Sequence, residues 1–145
     1  MNAKVLILMG SDSDWEVMSE SRKALDEMGV EAEIHISSAH RTPARTGSLA
    51  REAAARGIQV IICGAGAAAH LALLSTAQMP GGVPVGTMAV GKAGARNAGL
   101  LAARILALSD PALAARVREQ RARMAREVEA KDAALQLRLQ ADKKA

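Results

Sequence analysis

The densest chemistry in the chain lies in Ser37-Ser38-Ala39-His40-Arg41-Thr42-Pro43. An imidazole beside a guanidinium, with two hydroxyls just before and one just after, offers a proton shuttle, an anion clamp and several hydrogen-bonding groups in one short run. A second polar cluster, Ser11-Asp12-Ser13-Asp14, follows an apolar run that ends at Gly10. Its residue types admit two readings. In one they only cap a helix. In the other, free backbone N–H groups and the Ser11 hydroxyl cradle an anion while Asp14 accepts hydrogen bonds from a sugar. Weaker candidates lie further on. Gly64 and Gly66 could let the backbone approach a ligand, although the GxGxxG spacing of a dinucleotide site is absent. His70 suits a structural and a site-facing role equally well. Lys92 could hold a phosphate, but a lysine in such a loop is more often simply solvated.

The elements that must position these groups follow from hydropathy. Lys4 to Met9 is a continuous apolar run, as expected of a central parallel strand covered on both faces. Trp15, Met18, Leu25 and Met28 then recur at roughly helical spacing up to Gly29. Glu31 to Ile36 alternates, which predicts a half-buried second strand with Ala32, Ile34 and Ile36 on one face. His35 falls on the polar face and is expected to be a solvated edge-strand histidine outside the site. Thr42 is a natural N-cap and Pro43 suits the first helical position, so a second helix should run to a stop at Gly57. His40 and Arg41 then precede a helix N-terminus, where open α/β sheets bind ligands.

Ile58 to Cys63 reads as a third strand, with Cys63 a buried small hydrophobe. The loop Gln78 to Pro84 leads into Val83 to Val90, a further strand-like run. A helix opens at Gly91 and continues to about Leu108, and Ser109-Asp110-Pro111 restarts it. Beyond that point Leu113, Val117, Met124, Val128 and Leu135 leave a thin apolar stripe on a highly charged helix, which suggests packing on another subunit.

Composition narrows the classes. At 145 residues the chain supports one compact core. Trp15 is its only aromatic residue, so the core is built from Ala, Val, Ile, Leu and Met, and close packing is expected. Nineteen basic residues against fifteen acidic ones give a net charge of +4, a weak preference for anions. The charges are interleaved and stacking aromatics are missing, which argues against nucleic acid as a partner. A single cysteine offers neither a disulfide nor a CxxC pair, and no metal-ligand spacing is present. No export signal or membrane-length apolar segment is found, so a cytoplasmic location without membrane attachment is expected. Lys143 and Lys144 read as a solvated tail.

MGSDSDW, SSAHRTP, GAGAAAHL, QMPGGVPVGT and GKAGARNAGLLAARILALSDPALAAR follow one another here in the order of one family. The chain resembles the catalytic subunit of bacterial phosphoribosylaminoimidazole carboxylase, the carboxyaminoimidazole ribonucleotide mutase family, over nearly everything up to about Arg118. The resemblance implies a three-layer α/β/α fold with a parallel, flavodoxin-like sheet and a long C-terminal helix. Residues 1–110 would form the ribotide-binding catalytic part, and residues 111–145 a helix packing on the oligomer. It further implies a homo-octamer that acts on a ribonucleotide without metal or organic cofactor. The reaction would move a carboxylate from the exocyclic nitrogen of the aminoimidazole ribotide to ring carbon C4. His40 would be the general acid and base. Ser11, Asp14 and Arg41 would hold ribose and phosphate, Ser38 and Ala39 would shape the pocket, and Gly66 and His70 would line its far side.

One departure from the family stands out. Relatives carry further helix, a strand resembling LPVIGVP and a substrate loop between the GAGxAAHL and LLSxxQMP motifs, whereas here Ala72 runs straight into Leu73. Either the sequence as it stands omits a segment and the sheet has five strands, or the deletion is genuine and four strands rejoin across a vacancy. The clean junction favours the first. The mutase reading therefore stands beside two others: a direct carboxylase using carbon dioxide, and an inert ribotide-binding or assembly subunit.

Overall fold

The computed structural model describes residues 3–64, 78–82 and 84–142. Among them the organising strand is β1, Val5–Met9, whose five residues are all buried. It lies between β2, Ala32–Ile36, and β3, Val60–Gly64, in a parallel sheet of order β2-β1-β3. Val5 stands opposite both Ala32 and Val60, and Met9 opposite both Ile36 and Gly64. The three strands therefore end level with one another.

The alternation of a strand sends the β1 side chains to two separate cores. Val5, Ile7 and Met9 pack with Leu25, Met28, Ala102 and Leu106, which come from α1, Trp15–Glu27, its C-terminal turn and α3, Gly91–Leu106. Leu6 and Leu8 pack on the other face with Ala53, Ile58 and Leu49, below α2, Pro43–Glu52. This is the expected three-layer α/β/α arrangement. Small residues let α1 and α3 approach closely: the Ser21 hydroxyl donates to the Ala95 carbonyl, and Gly99 lies directly against the Ser21 backbone. Helix ends fall where glycine was expected to place them. Gly29 after α1 has φ +66°, and Gly57, after a short 3₁₀ turn at Ala54–Arg56, has φ +84°.

The final helix, α4, spans Pro111–Asp142, with the Asp110 carboxylate accepting from the Leu113 N–H at 2.9 Å. Leu113 is buried and Val117 partly so, and the Arg116 Nε donates to the Met28 carbonyl. Met124, Val128, Leu135 and Leu139 are exposed, so the apolar stripe leaves the body of the protein after its first turns.

Two expectations are corrected. Pro84–Ala89 has no strand assignment and joins no ladder. Pro84 lacks an N–H to donate, and the segment lies against α3, where a Cβ at Gly86 would sit 3.5 Å from the Leu101 side chain. Cys63 is exposed, not buried. Strand alternation explains this, since Ile62 on the opposite face joins the α1–α3 core while Ile61 and Cys63 point away from it.

Candidate active site

Because the three strands end level, the turns that follow β1 and β2 emerge side by side at the carboxyl edge of the sheet. The β1 turn begins at Gly10. Ser11 caps the 3₁₀ turn Asp12–Asp14, and its own N–H donates to Asp14 Oδ2 at 3.1 Å. The Ser11 hydroxyl donates to Asp12 Oδ1 and accepts from the Ser13 N–H at 3.3 Å. Ser11 and Asp14 thus form a reciprocal capping box, the plainer of the two roles the sequence allowed them.

The β2 turn starts with Ser37, whose N–H extends the ladder to the Met9 carbonyl at 2.7 Å. Ser38 Oγ accepts from the Arg41 N–H at 3.2 Å, and the Thr42 N–H donates to the Ser38 carbonyl at 2.7 Å. Ala39 and His40 project from the loop so closed, and both are exposed. Thr42 precedes α2 as expected, yet its hydroxyl donates back to the Ser38 carbonyl at 3.0 Å and does not cap the helix. The nearby carbonyl of the tight turn is the better-placed partner.

Arg41 joins the two turns. One guanidinium nitrogen donates to the Gly10 carbonyl at 2.9 Å, and the side chain is otherwise exposed, leaving N–H groups that can receive an anion. Ser11, Asp14, Ser38, Ala39, His40 and Arg41 therefore share one edge. Gly66 and His70 lie outside the described residues.

The other sequence candidates sit elsewhere. His35 is half-buried on edge strand β2, with Nε2 2.7 Å from Glu33 Oε1. Hydrogen bonding from His35, with Arg56 close by, holds the Glu33 carboxyl below its usual value. Lys92 pairs with Glu16 at 2.7 Å across the N-terminal ends of α3 and α1, which leaves it solvated but engaged. The accessible Cys63 thiol has its pKa pushed up by partial desolvation, so it is not an activated nucleophile.

Sequence reasoning missed an open hollow of about 520 Å³ beside the turns, lined by Met9, Trp15, Ile34 and Ile36 together with Asp12, His35 and Arg45. Trp15 was legible only as a helical apolar position, whereas it is 42% exposed. Its place next to the polar cluster was the available signal. Among the described residues no group of three or more metal-ligating side chains comes together, and no helix is long and apolar enough to cross a membrane.

A parallel sheet in the order β2-β1-β3, with two polar turns meeting at its carboxyl edge, defines a flavodoxin-like α/β protein, an architecture in which ligands bind at that edge. The chain belongs to the AIR carboxylase family, whose model matches residues 4–72 and 71–127. It is 46% identical to the N5-carboxyaminoimidazole ribonucleotide mutase of Brucella melitensis over 147 positions, covering 83% of this chain and 91% of that protein. The enzyme of the same name from Mycobacterium tuberculosis is 46% identical over 159 positions, covering 92% and 90%. Among solved structures, Treponema denticola PurE superposes with a TM-score of 0.74 at 27% identity, covering 89% of this chain and 96% of that one.

The family match is made in two pieces that meet at residues 71 and 72, the junction already conspicuous in the sequence. The 147 aligned positions take in only about 120 of the 145 residues here, so about 27 positions of the Brucella enzyme have no counterpart.

Proposed function

We propose that this protein is an N5-carboxyaminoimidazole ribonucleotide mutase of purine biosynthesis. It moves the carboxylate from the exocyclic nitrogen of its ribotide substrate to C4 of the imidazole ring. What carries the reading is the meeting of the 10–14 and 38–42 turns at one sheet edge, in a chain so similar to enzymes of that name.

The chemistry asks for one group able to give and take a proton. Cleavage of the N–C bond releases carbon dioxide and leaves the electron pair on nitrogen, which takes a proton from His40. C4 then attacks the carbon dioxide, and the proton it sheds returns to His40. The imidazole ends as it began, and no oxidant or external base is consumed. Arg41 takes the phosphate through the guanidinium N–H groups not used on Gly10. Asp14 meets the ribose with the carboxylate oxygen left over from the capping box, Ser11 meets it by turning its hydroxyl proton away from Asp12, and Ser38 and Ala39 form the wall beside His40. The family resemblance assigns the far side to Gly66 and His70, which lie outside the described residues. No metal or organic cofactor enters the reading, and the setting is cytoplasmic. The exposed stripe on α4, Met124, Val128, Leu135 and Leu139, packs on neighbouring copies in a homo-octamer.

The test is His40→Asn, which keeps a polar side chain of similar reach but cannot shuttle a proton. Turnover of the carboxyamino ribotide should fall by about 10²–10⁴-fold, with binding of the product ribotide retained in calorimetry. Turnover at the parental rate would remove His40 from the mechanism. The direct carboxylase alternative is separated by supplying aminoimidazole ribotide with carbon dioxide. A second reading is favoured by the two-piece family match: an inert ribotide-binding subunit. Ribotide binding with no turnover of either substrate would establish it.

A further inference from the structure

A line of three hydroxyls runs beneath the His40 turn, and its middle member lies outside the stretch that marks the site. Ser37 is only 6% exposed, and its Oγ lies 2.8 Å from Thr46 Oγ1, on the second turn of α2. Thr46 Oγ1 in turn donates to the Thr42 carbonyl at 3.1 Å, and the Thr42 hydroxyl donates to the Ser38 carbonyl at 3.0 Å. Each hydroxyl has one proton to give. Either hydroxyl can give the proton of the Ser37–Thr46 bond; when the Thr46 proton lies on the Thr42 carbonyl, the Ser37 hydroxyl is the donor to Thr46 Oγ1. In that arrangement the line runs from the end of β2, through α2, to both ends of the loop that presents His40.

Threonine often bonds back to the carbonyl four residues earlier in a helix, and that bond alone would carry no weight. The bond to Ser37 differs, because it joins two elements and satisfies a buried hydroxyl that has no other partner among the described residues. A valine at position 46 would keep the shape and remove the link.

We infer that Thr46 is a positioning residue for the mutase reaction: its hydroxyl ties the buried Ser37 to the Thr42 carbonyl and so fixes where the 38–42 turn holds His40. The inference rests on the role proposed for His40. Thr46 touches no substrate, so its removal acts through the turn. The expected signature of Thr46→Val is a kcat lowered about tenfold, in keeping with the cost of small misplacements of a catalytic group, with ribotide KM within about twofold. Thr46→Ser restores the hydroxyl and should recover kcat to within about twofold of the parent.

The experiment pairs steady-state kinetics on the three proteins with hydrogen exchange at the Thr42 amide, which is bonded to the Ser38 carbonyl. Faster Thr42 exchange and lower kcat in Thr46→Val, both reversed in Thr46→Ser, support the inference. Parental kcat and exchange in Thr46→Val overturn it, as does a serine variant impaired as much as the valine one, since packing would then be the cause. A parent with no turnover but a Thr42 exchange rate that follows the hydroxyl in the same order supports the link to the turn while refuting the mutase reading. Should Thr46→Val fold poorly, the Ser37→Ala/Thr46→Val pair removes both partners of the buried bond. Its kcat should stay as low as that of Thr46→Val, and recovery to the parental value would overturn the inference.

Discussion

Substituting Gly99 by alanine sets two effects of known sign against each other. Gly99 lies inside α3, where alanine is the better helix former by about 1 kcal/mol. A Cβ there would stand 2.6 Å from the Ser21 carbonyl oxygen and 3.0 Å from the Ala24 Cβ on α1. The first distance is roughly 0.8 Å inside ordinary contact. The oxygen belongs to the α1 backbone and cannot swing aside. The Ser21 hydroxyl, bonded to the Ala95 carbonyl, also holds the two helices together at this point. Relief must come from parting α1 and α3, and such overpacking costs about 1–3 kcal/mol. A clash with a rigid backbone oxygen belongs to the upper part of that range, about 2–3 kcal/mol, so it outweighs the propensity gain and leaves the variant less stable by about 1–2 kcal/mol. At ~2–4 °C per kcal/mol for a chain of this size, its Tm should fall by several degrees.

Gly47→Ala is the control for Gly99→Ala. Gly47 is also inside a helix, but the atom that an added Cβ would meet first, at 2.9 Å, is Arg51 Nη1, the end of an exposed flexible side chain. There the propensity term acts alone, and the variant should gain about 0.5–1 kcal/mol. Urea and thermal unfolding of the two variants beside the parent decide the matter. A Gly99→Ala protein that melts at or above the parent would refute the close approach of α1 and α3.

Three further outcomes are expected. The Arg96 guanidinium, bonded to both Glu27 carboxylate oxygens at 2.7 and 3.1 Å, holds that carboxyl below its usual 4.5. Its folded value is depressed, so the pair stabilises above about pH 4.5 and is lost as pH falls through the folded value. Glu27→Gln should flatten the acid limb of urea midpoints by less than ~1 kcal/mol, because both side chains are about a third or more exposed. An unchanged slope at low salt would count against the pair. Cys63, the only cysteine, should react once with an aromatic disulfide reagent in the native state, more slowly than a free thiol because desolvation raises its pKa. Complete protection without denaturant would contradict its exposure. Arg41→Ala should weaken ribotide binding by ~10–100-fold through loss of charge-assisted bonds, and calorimetry showing unchanged affinity would exclude Arg41 from the phosphate.

Much of this architecture was legible because it is written locally. The apolar runs at 4–9 and 58–63 and the alternation at 31–36 each mark a strand without reference to any other. Pro43 and Pro111 start helices, and Gly29 and Gly57 end them, through backbone restrictions of the residues themselves. What was not legible depends on neighbours. A strand-like run such as Val83 to Val90 reads the same whether or not a free edge lies beside it. Pro84–Ala89 packs on α3 and pairs with nothing among the described residues. The exposure of Cys63 depends on what covers one face of β3, and the Thr42 hydroxyl chose between two nearby partners. The bond between Ser37 and Thr46 joins residues nine apart on different elements, and no local pattern announces it.

The placing of the missing positions bears on which properties can fail separately. The β1–β2 ladder, the capping box at Ser11, the Arg41 bond to Gly10 and the hydroxyls beneath His40 all lie before residue 65. Each of these contacts is made between residues of that stretch alone. Under the roles proposed for Ser11, Asp14 and Arg41, phosphate and ribose recognition should therefore survive a genuine deletion. Closure over the reacting ring is different. It has to hold released carbon dioxide until C4 attacks, and the family resemblance assigns part of that task to Gly66 and His70, which lie outside the described residues and next to the junction. Partial damage would then show as loss of carbon dioxide to solvent. The carboxyamino ribotide would be consumed and aminoimidazole ribotide would accumulate in place of the C4 carboxylate. Measuring both products against the spontaneous decarboxylation of the carbamate without protein separates a mutase with a leaking pocket, which speeds formation of aminoimidazole ribotide, from an inert binder, which yields no C4 carboxylate and does not exceed the spontaneous rate.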